Sequence, residues 1–165
     1  MSDARHVLVA LLADEFGAGV EEDEHGGGRL TAHGALRAVE YVLDRDDIRK
    51  DSLDDELDRF VAHWDYRRDH HNPWQEICRA DAIARLVKLQ REPLLSAGPG
   101  YTPTRLTAAH DKVDAFLYCF GSDTRFFTNG AFRITDAAMD TGVVLLSRSL
   151  AGIWWHAEGI RGIAL

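Results

Sequence analysis

The apolar residues of this chain change period part-way along it. Up to Phe120 they recur at helical spacing; from Phe126 onward they come in short runs separated by turn residues. A helix and a strand need different periods to present one apolar face, about 3.6 and 2 residues. The order therefore predicts an α+β fold: four to five helices packed on a C-terminal three- to five-stranded antiparallel sheet. The helical part is expected over about 4–120 and the β-rich part over about 124–165. A length of 165 residues suits one domain with one self-sufficient core.

Within the helical part, Val7, Leu8, Leu11 and Leu12 suggest a helix over 4–16, although Val7-Leu8-Val9 also suits a strand. Residues 17–29, with an acidic run and Gly26-Gly27-Gly28, read as a loop. The glycine triplet lacks the GxxxxGK[ST] pattern of a phosphate cradle. Thr31 is expected to cap a helix reaching about Arg45, with Leu36, Val39, Val42 and Leu43 on one face. Ser52 opens the clearest helix. Ser52 and Asp55 stand as a capping box with Asp in place of Glu, and Leu53, Leu57, Phe60, Val61 and Trp64 form the stripe.

Asn72-Pro73 is expected to open the next helix, running through Ile77, Ile83, Leu86, Val87 and Leu89. Asp81 and Arg85 are spaced to pair on it. Pro93, Pro99 and Pro103 break the chain into an irregular connector around Tyr101. A last helix over 104–120 carries Leu106, Ala109, Val113, Phe116, Leu117 and Phe120. Asn129-Gly130 then predicts a tight hairpin between Phe126-Phe127 and Phe132–Ile134. Val143–Leu146 and Ile153–His156 form a second strand pair, and Ile160–Leu165 an edge strand. Trp154-Trp155 puts one ring on each face of its strand. One is expected in the core; the other is a candidate for an exposed interface anchor.

Composition narrows the function. Lys plus Arg total 19 and Asp plus Glu total 27, a net charge of −8. That sign opposes phosphate contact and argues against nucleic acid. No stretch has the length of a membrane span, and Val7–Ala13 runs into Asp14 and Glu15 without a cleavage-type flank. Cys78 and Cys119 lie outside any CxxC and are expected as two buried thiols in a reducing cytoplasm; their spacing alone does not settle whether they pair.

The chemical motifs each lack a part. In His63-Trp64-Asp65-Tyr66-Arg67-Arg68-Asp69-His70-His71, His63 and His70 share a helix face but stand roughly 10 Å apart along the axis. Zn–N bonds are about 2 Å, so one ion cannot join them on a straight helix. The basic residues there suit a helix C-terminus. His110-Asp111 resembles the metal-binding pair of the HD phosphohydrolases. That family also needs an upstream His and a downstream Asp. His110 itself falls within an apolar stripe, with Asp114 one turn on to accept its N–H. His156-Ala157-Glu158 resembles the HxE of zinc deaminases, but no PCxxC follows. The acidic stretch from Asp44 to Asp58 has Arg49 where a calcium loop needs its sixth-position Gly. No GxSxG occurs.

The expectation is a cytoplasmic, non-catalytic interaction protein in an inhibitor, immunity-type or accessory role, with no cofactor. Its expected partner is a protein, for which a basic surface would suit the acidic charge, and a homodimer could form through an outer strand. Asp47, Asp51, Asp54, Asp55, Asp58, Trp154 and Trp155 make up the expected interaction surface. The alternative is a metal-dependent hydrolase drawing on His71, His110 and Asp111 from separated segments.

Overall fold

A computed structural model describes residues 21–22, 28–31, 36–42, 52–63, 73–92, 99–130, 132–135, 137–148 and 151–160. In chain order these give β1 (Glu21–Glu22), β2 (Gly28–Thr31), β3 (Leu36–Val42), α1 (Leu53–His63), β4 (Gln75–Ile77), α2 (Arg79–Arg91), α3 (Leu106–Tyr118), β5 (Arg125–Thr128), β6 (Ala137–Leu146) and β7 (Ala151–Ile160). The strands form one sheet in the order β1-β2-β3-β7-β6-β5-β4, and every pairing is antiparallel. The chain is α+β with an antiparallel sheet at its C-terminal end. Three helices, not four or five, occur among the described residues, and the sheet has seven strands because β1 to β4 join it.

Strands β5, β6 and β7 are covered on both faces. Phe126, Val143, Leu145 and Trp154 point to one side and pack with Ala82, Leu86, Val87 and Leu89 of α2 and Ala109, Val113, Phe116 and Leu117 of α3. Phe127, Val144, Leu146, Ile153 and Trp155 point to the other and pack with Leu57, Phe60 and Val61 of α1, joined by Trp74, Phe132 and Ile134. Neighbouring residues alternate between these two cores because side chains alternate along a strand. That is why the strand sequences read as unbroken apolar runs.

Several expected elements take another form. The helix expected from Thr31 to Arg45 is strand β3 over Leu36–Val42, paired with β7 from Leu36↔Ala157 to Val42↔Ala151. Its valines and tyrosine suit a strand as well as a helical stripe, and sheet pairing decides. The helix expected at Pro73 starts at Arg79 instead, with Cys78 as its N-cap. Gln75–Ile77 before it pair with Phe126–Thr128. The tight hairpin at Asn129-Gly130 is a turn, closed by Phe132 N–H on Asn129 O at 3.1 Å, with Gly130 at φ 55°. The chain does not return as a strand at once. Phe132 and Ile134 drop into the α1-side core, and β6 begins only at Ala137.

The stripe from Ser52 holds through Val61 as α1, with Trp64 outside the described residues, and the helix near 104–120 holds as α3. The β6–β7 pair also holds, with Val143↔Trp154 and Leu146↔Ala151 in register. Of the expected edge strand, only Ile160 is described, as the last residue of β7. The helix expected over 4–16 lies outside the described residues.

Candidate functional site

The side chains that could do chemistry gather where α2 passes over the outer half of β6. Asp81, Arg85, Lys88 and Glu92 follow one another at i, i+4, i+7 and i+11, so they share one flank of α2. They line a groove of about 760 Å³ together with Ile77, Ala84, Leu89, Met139 and Thr141. That volume is in the range of small-molecule sites. Lys88 stands 4.0 Å from Glu92. The Asp81–Arg85 pair suggested by spacing is replaced. Arg85 Nη1 instead crosses to β6 and donates to Thr141 Oγ1 at 2.9 Å.

Behind Thr141 lies a buried polar chain. Thr141 Oγ1 donates to Asn129 Oδ1 at 3.3 Å, and Asn129 Nδ2 donates to Asp140 Oδ1 at 3.2 Å and to Phe132 O. Asp140 Oδ2 accepts from the backbone N–H of Ile134 at 3.0 Å and of Thr135 at 2.7 Å, and from the Thr135 hydroxyl at 2.6 Å. Burial pushes the Asp140 carboxyl above its ordinary range, against the pull of these bonds and of the Arg133 charge. The network ties Asn129, Ile134 and Thr135 to β6 and fixes Thr141, and through Thr141 it positions Arg85.

The expected interaction surface divides. Asp54, Asp55 and Asp58 lie on α1, with Asp55 exposed. The Ser52 hydroxyl accepts from Asp55 N–H at 3.1 Å, so the cap read from sequence is present. Asp58 has a structural task, because its Oδ1 accepts from Trp74 Nε1 at 2.9 Å. Asp47 and Asp51 lie outside the described residues.

The exposed tryptophan is a correction. Trp154 and Trp155 are 2% and 1% exposed, because helices cover both sheet faces. Trp154 Nε1 donates to His156 Nε2 at 3.2 Å, so this histidine sits in the core beside its ring.

Of the hydrolase residues, His71 lies outside the described residues. His110 and Asp111 are exposed on α3, and His110 borders a second groove of about 490 Å³ that adjoins the first along α2 and shares Ala84, Lys88 and Glu92 with it. His110 therefore stands at the edge of the α3 stripe, not within it. Among the described residues no three His, Cys, Asp or Glu side chains converge as metal ligands. Cys119 is buried, but Cys78 is exposed at the start of α2, contrary to expectation. Both are free thiols. Burial raises the Cys119 pKa, and its thiol donates to Ala115 O at 3.4 Å. No helix among the described residues is long and apolar enough to cross a membrane.

Sequence reasoning missed Arg85, Thr141 and Asp140. The spacing of Asp81 and Arg85 was visible, but the competing hydroxyl comes from a strand 56 positions later. Comparison with protein families, curated proteins and solved structures finds no match.

Proposed function

We propose that this chain is a small acidic, non-catalytic interaction protein that acts by binding another macromolecule, in an inhibitor, immunity-type or accessory role. The observation that carries this reading is the acidic start of α1 on a chain of net charge −8. The Ser52 cap and the Asp58–Trp74 bond tie that helix end to the core. Asp54 and Asp55 therefore belong to a rigid turn, and Asp47 and Asp51 precede them in sequence. Fixed charges of one sign speed and orient the approach of a basic partner. A reducing, cytoplasmic setting belongs to the same reading, and the two free thiols support it.

The test starts with crosslinking and mass spectrometry in the native host to identify the partner. Its association rate is then measured with wild type and with Asp54→Lys/Asp55→Lys. Asp58 is spared because its loss would unseat Trp74. The reversal is expected to slow association by about tenfold at low salt and to flatten the salt dependence. Its cost to α1 through the helix dipole is about 1 kcal/mol, so the fold survives. Equal association rates for the two proteins, unchanged by salt, would rule the reading out.

A further inference from the structure

We propose that the groove between α2 and β6 binds a small amphipathic carboxylate, with its head on Arg85 and its apolar tail along Ile77, Leu89 and Met139. The site is separate from the acidic end of α1, which packs on the opposite face of the sheet. It stands whether or not α1 meets a partner.

The groove holds an unspent cation. Arg85 is half-buried, and among the described residues it forms no ion pair. One guanidinium nitrogen is fixed by the Thr141 hydroxyl. The remaining donors of its planar fork stay available, and that fork matches a carboxylate in two parallel bonds. A half-buried charge without a counter-ion gains from meeting one. Lys88, the other cation in the groove, is exposed and stands 4.0 Å from Glu92, so its charge is already solvated and partly balanced.

Position is the second element. Arg85 is held through Thr141, Asn129 and Asp140, a chain anchored in the buried side of β6. Little side-chain freedom is left to lose when a ligand arrives. The apolar lining is the third. Met139 is 47% exposed, large and unpolar, on the same face of β6 as Thr141. Ile77, Ala84 and Leu89 continue that surface. A carboxylate alone would leave it wet, and an apolar chain alone would leave Arg85 unmatched.

Asp81 borders the same groove and would repel an anionic head. That gives the proposal a signed test. The probe is octanoate, with octanol as its neutral counterpart, followed by NMR shifts of the Met139 methyl group. Octanoate is expected to bind with Kd on the order of 1 mM, and at least tenfold tighter than octanol. Arg85→Met should weaken octanoate by about tenfold or more. Asp81→Asn should tighten it roughly two- to fivefold. Met139→Glu, at an exposed strand position that leaves the core untouched, should abolish binding. Equal affinity for octanoate and octanol, full affinity in Arg85→Met or Met139→Glu, or weaker binding in Asp81→Asn would each overturn the proposal.

Discussion

Asp140 is 8% exposed, and its two oxygens accept four hydrogen bonds from Asn129, Ile134 and Thr135. Removing the side chain strands the buried N–H of Ile134 and takes the acceptor from the part-buried N–H of Thr135. Asp140→Ala is therefore expected to cost about 2–4 kcal/mol, read by urea denaturation. The pH response separates charge from hydrogen bonding. Burial raises this carboxyl above its ordinary 3.8. The native state then keeps the proton at a pH where the unfolded chain has released it. The carboxyl's contribution is full below the ordinary value and shrinks as pH rises through the folded one. Asp140→Asn should flatten that part of the stability profile, and matching slopes in both proteins as pH rises above 3.8 would contradict it. None of this was legible in the sequence. Asp140, between Met139 and Thr141, belongs to no motif, and Asn129 was readable only as half of a turn signal. Its amide acts eleven positions away, where local pattern carries no information.

At the level of elements, the two best-read helices are those whose own residues close the argument. α1 has its cap in Ser52 and its stripe in Leu57, Phe60 and Val61; α3 has its stripe in Ala109, Val113, Phe116 and Leu117. β3 was misread because Leu36, Val39 and Val42 satisfy a helical period, while the pairing that makes them a strand is with β7, more than a hundred residues on. The packing of α3 on β7 was also beyond pattern reading. It depends on a glycine. A Cβ at Gly152 would lie 2.2 Å from Phe120 Cζ, so the ring occupies the space a side chain would need. Phe120 stacks edge-on against Phe116 at 5.0 Å, and Phe116 against Trp154 at 4.9 Å. Gly152→Ala should push this row away from the sheet at a cost of about 1–3 kcal/mol. Because the obstacle is a side chain, Phe120→Leu should recover part of that loss. A double variant showing only the sum of the two single costs would place the strain elsewhere. Gly142 offers the contrasting case. A Cβ there would meet the Trp154 carbonyl oxygen at 2.1 Å, which is backbone, so no neighbouring side-chain change should rescue Gly142→Ala.

Across the whole molecule, the decisive fact is that one sheet serves two cores. The sequence carried the signal in Val143-Val144-Leu145-Leu146 and Trp154-Trp155, runs too continuous for a strand with one wet face. Reading the second tryptophan as an exposed anchor overlooked it. The missing information was that α1 lies across the sheet from α2 and α3, and no local period reports that. This arrangement predicts where the molecule opens last. β6 and β7 sit inside the sheet, flanked by β5 and β3, and their buried residues are covered above and below. β1 and β4 are the outer strands, two and three residues long. Native-state amide exchange should therefore be slowest at Val143–Leu146 and Ile153–Trp155, at free energies approaching the global value of about 5–15 kcal/mol. Gln75–Ile77 should exchange through local opening, at lower cost and with weak denaturant dependence. Comparable protection at Gln75–Ile77 and Val144, or exchange at Val144 that ignores denaturant, would mean the two cores do not act on the sheet together. Trp155 sharpens the test, since its buried Nε1 has no hydrogen-bond partner among the described residues. Trp155→Phe removes that cost along with some apolar contact, whereas Trp154→Phe also removes the hydrogen bond to His156 Nε2. If both cores clamp the same strands, either substitution should lower protection of Val143 and Val144 together, with the larger drop, by about 1 kcal/mol, for Trp154→Phe.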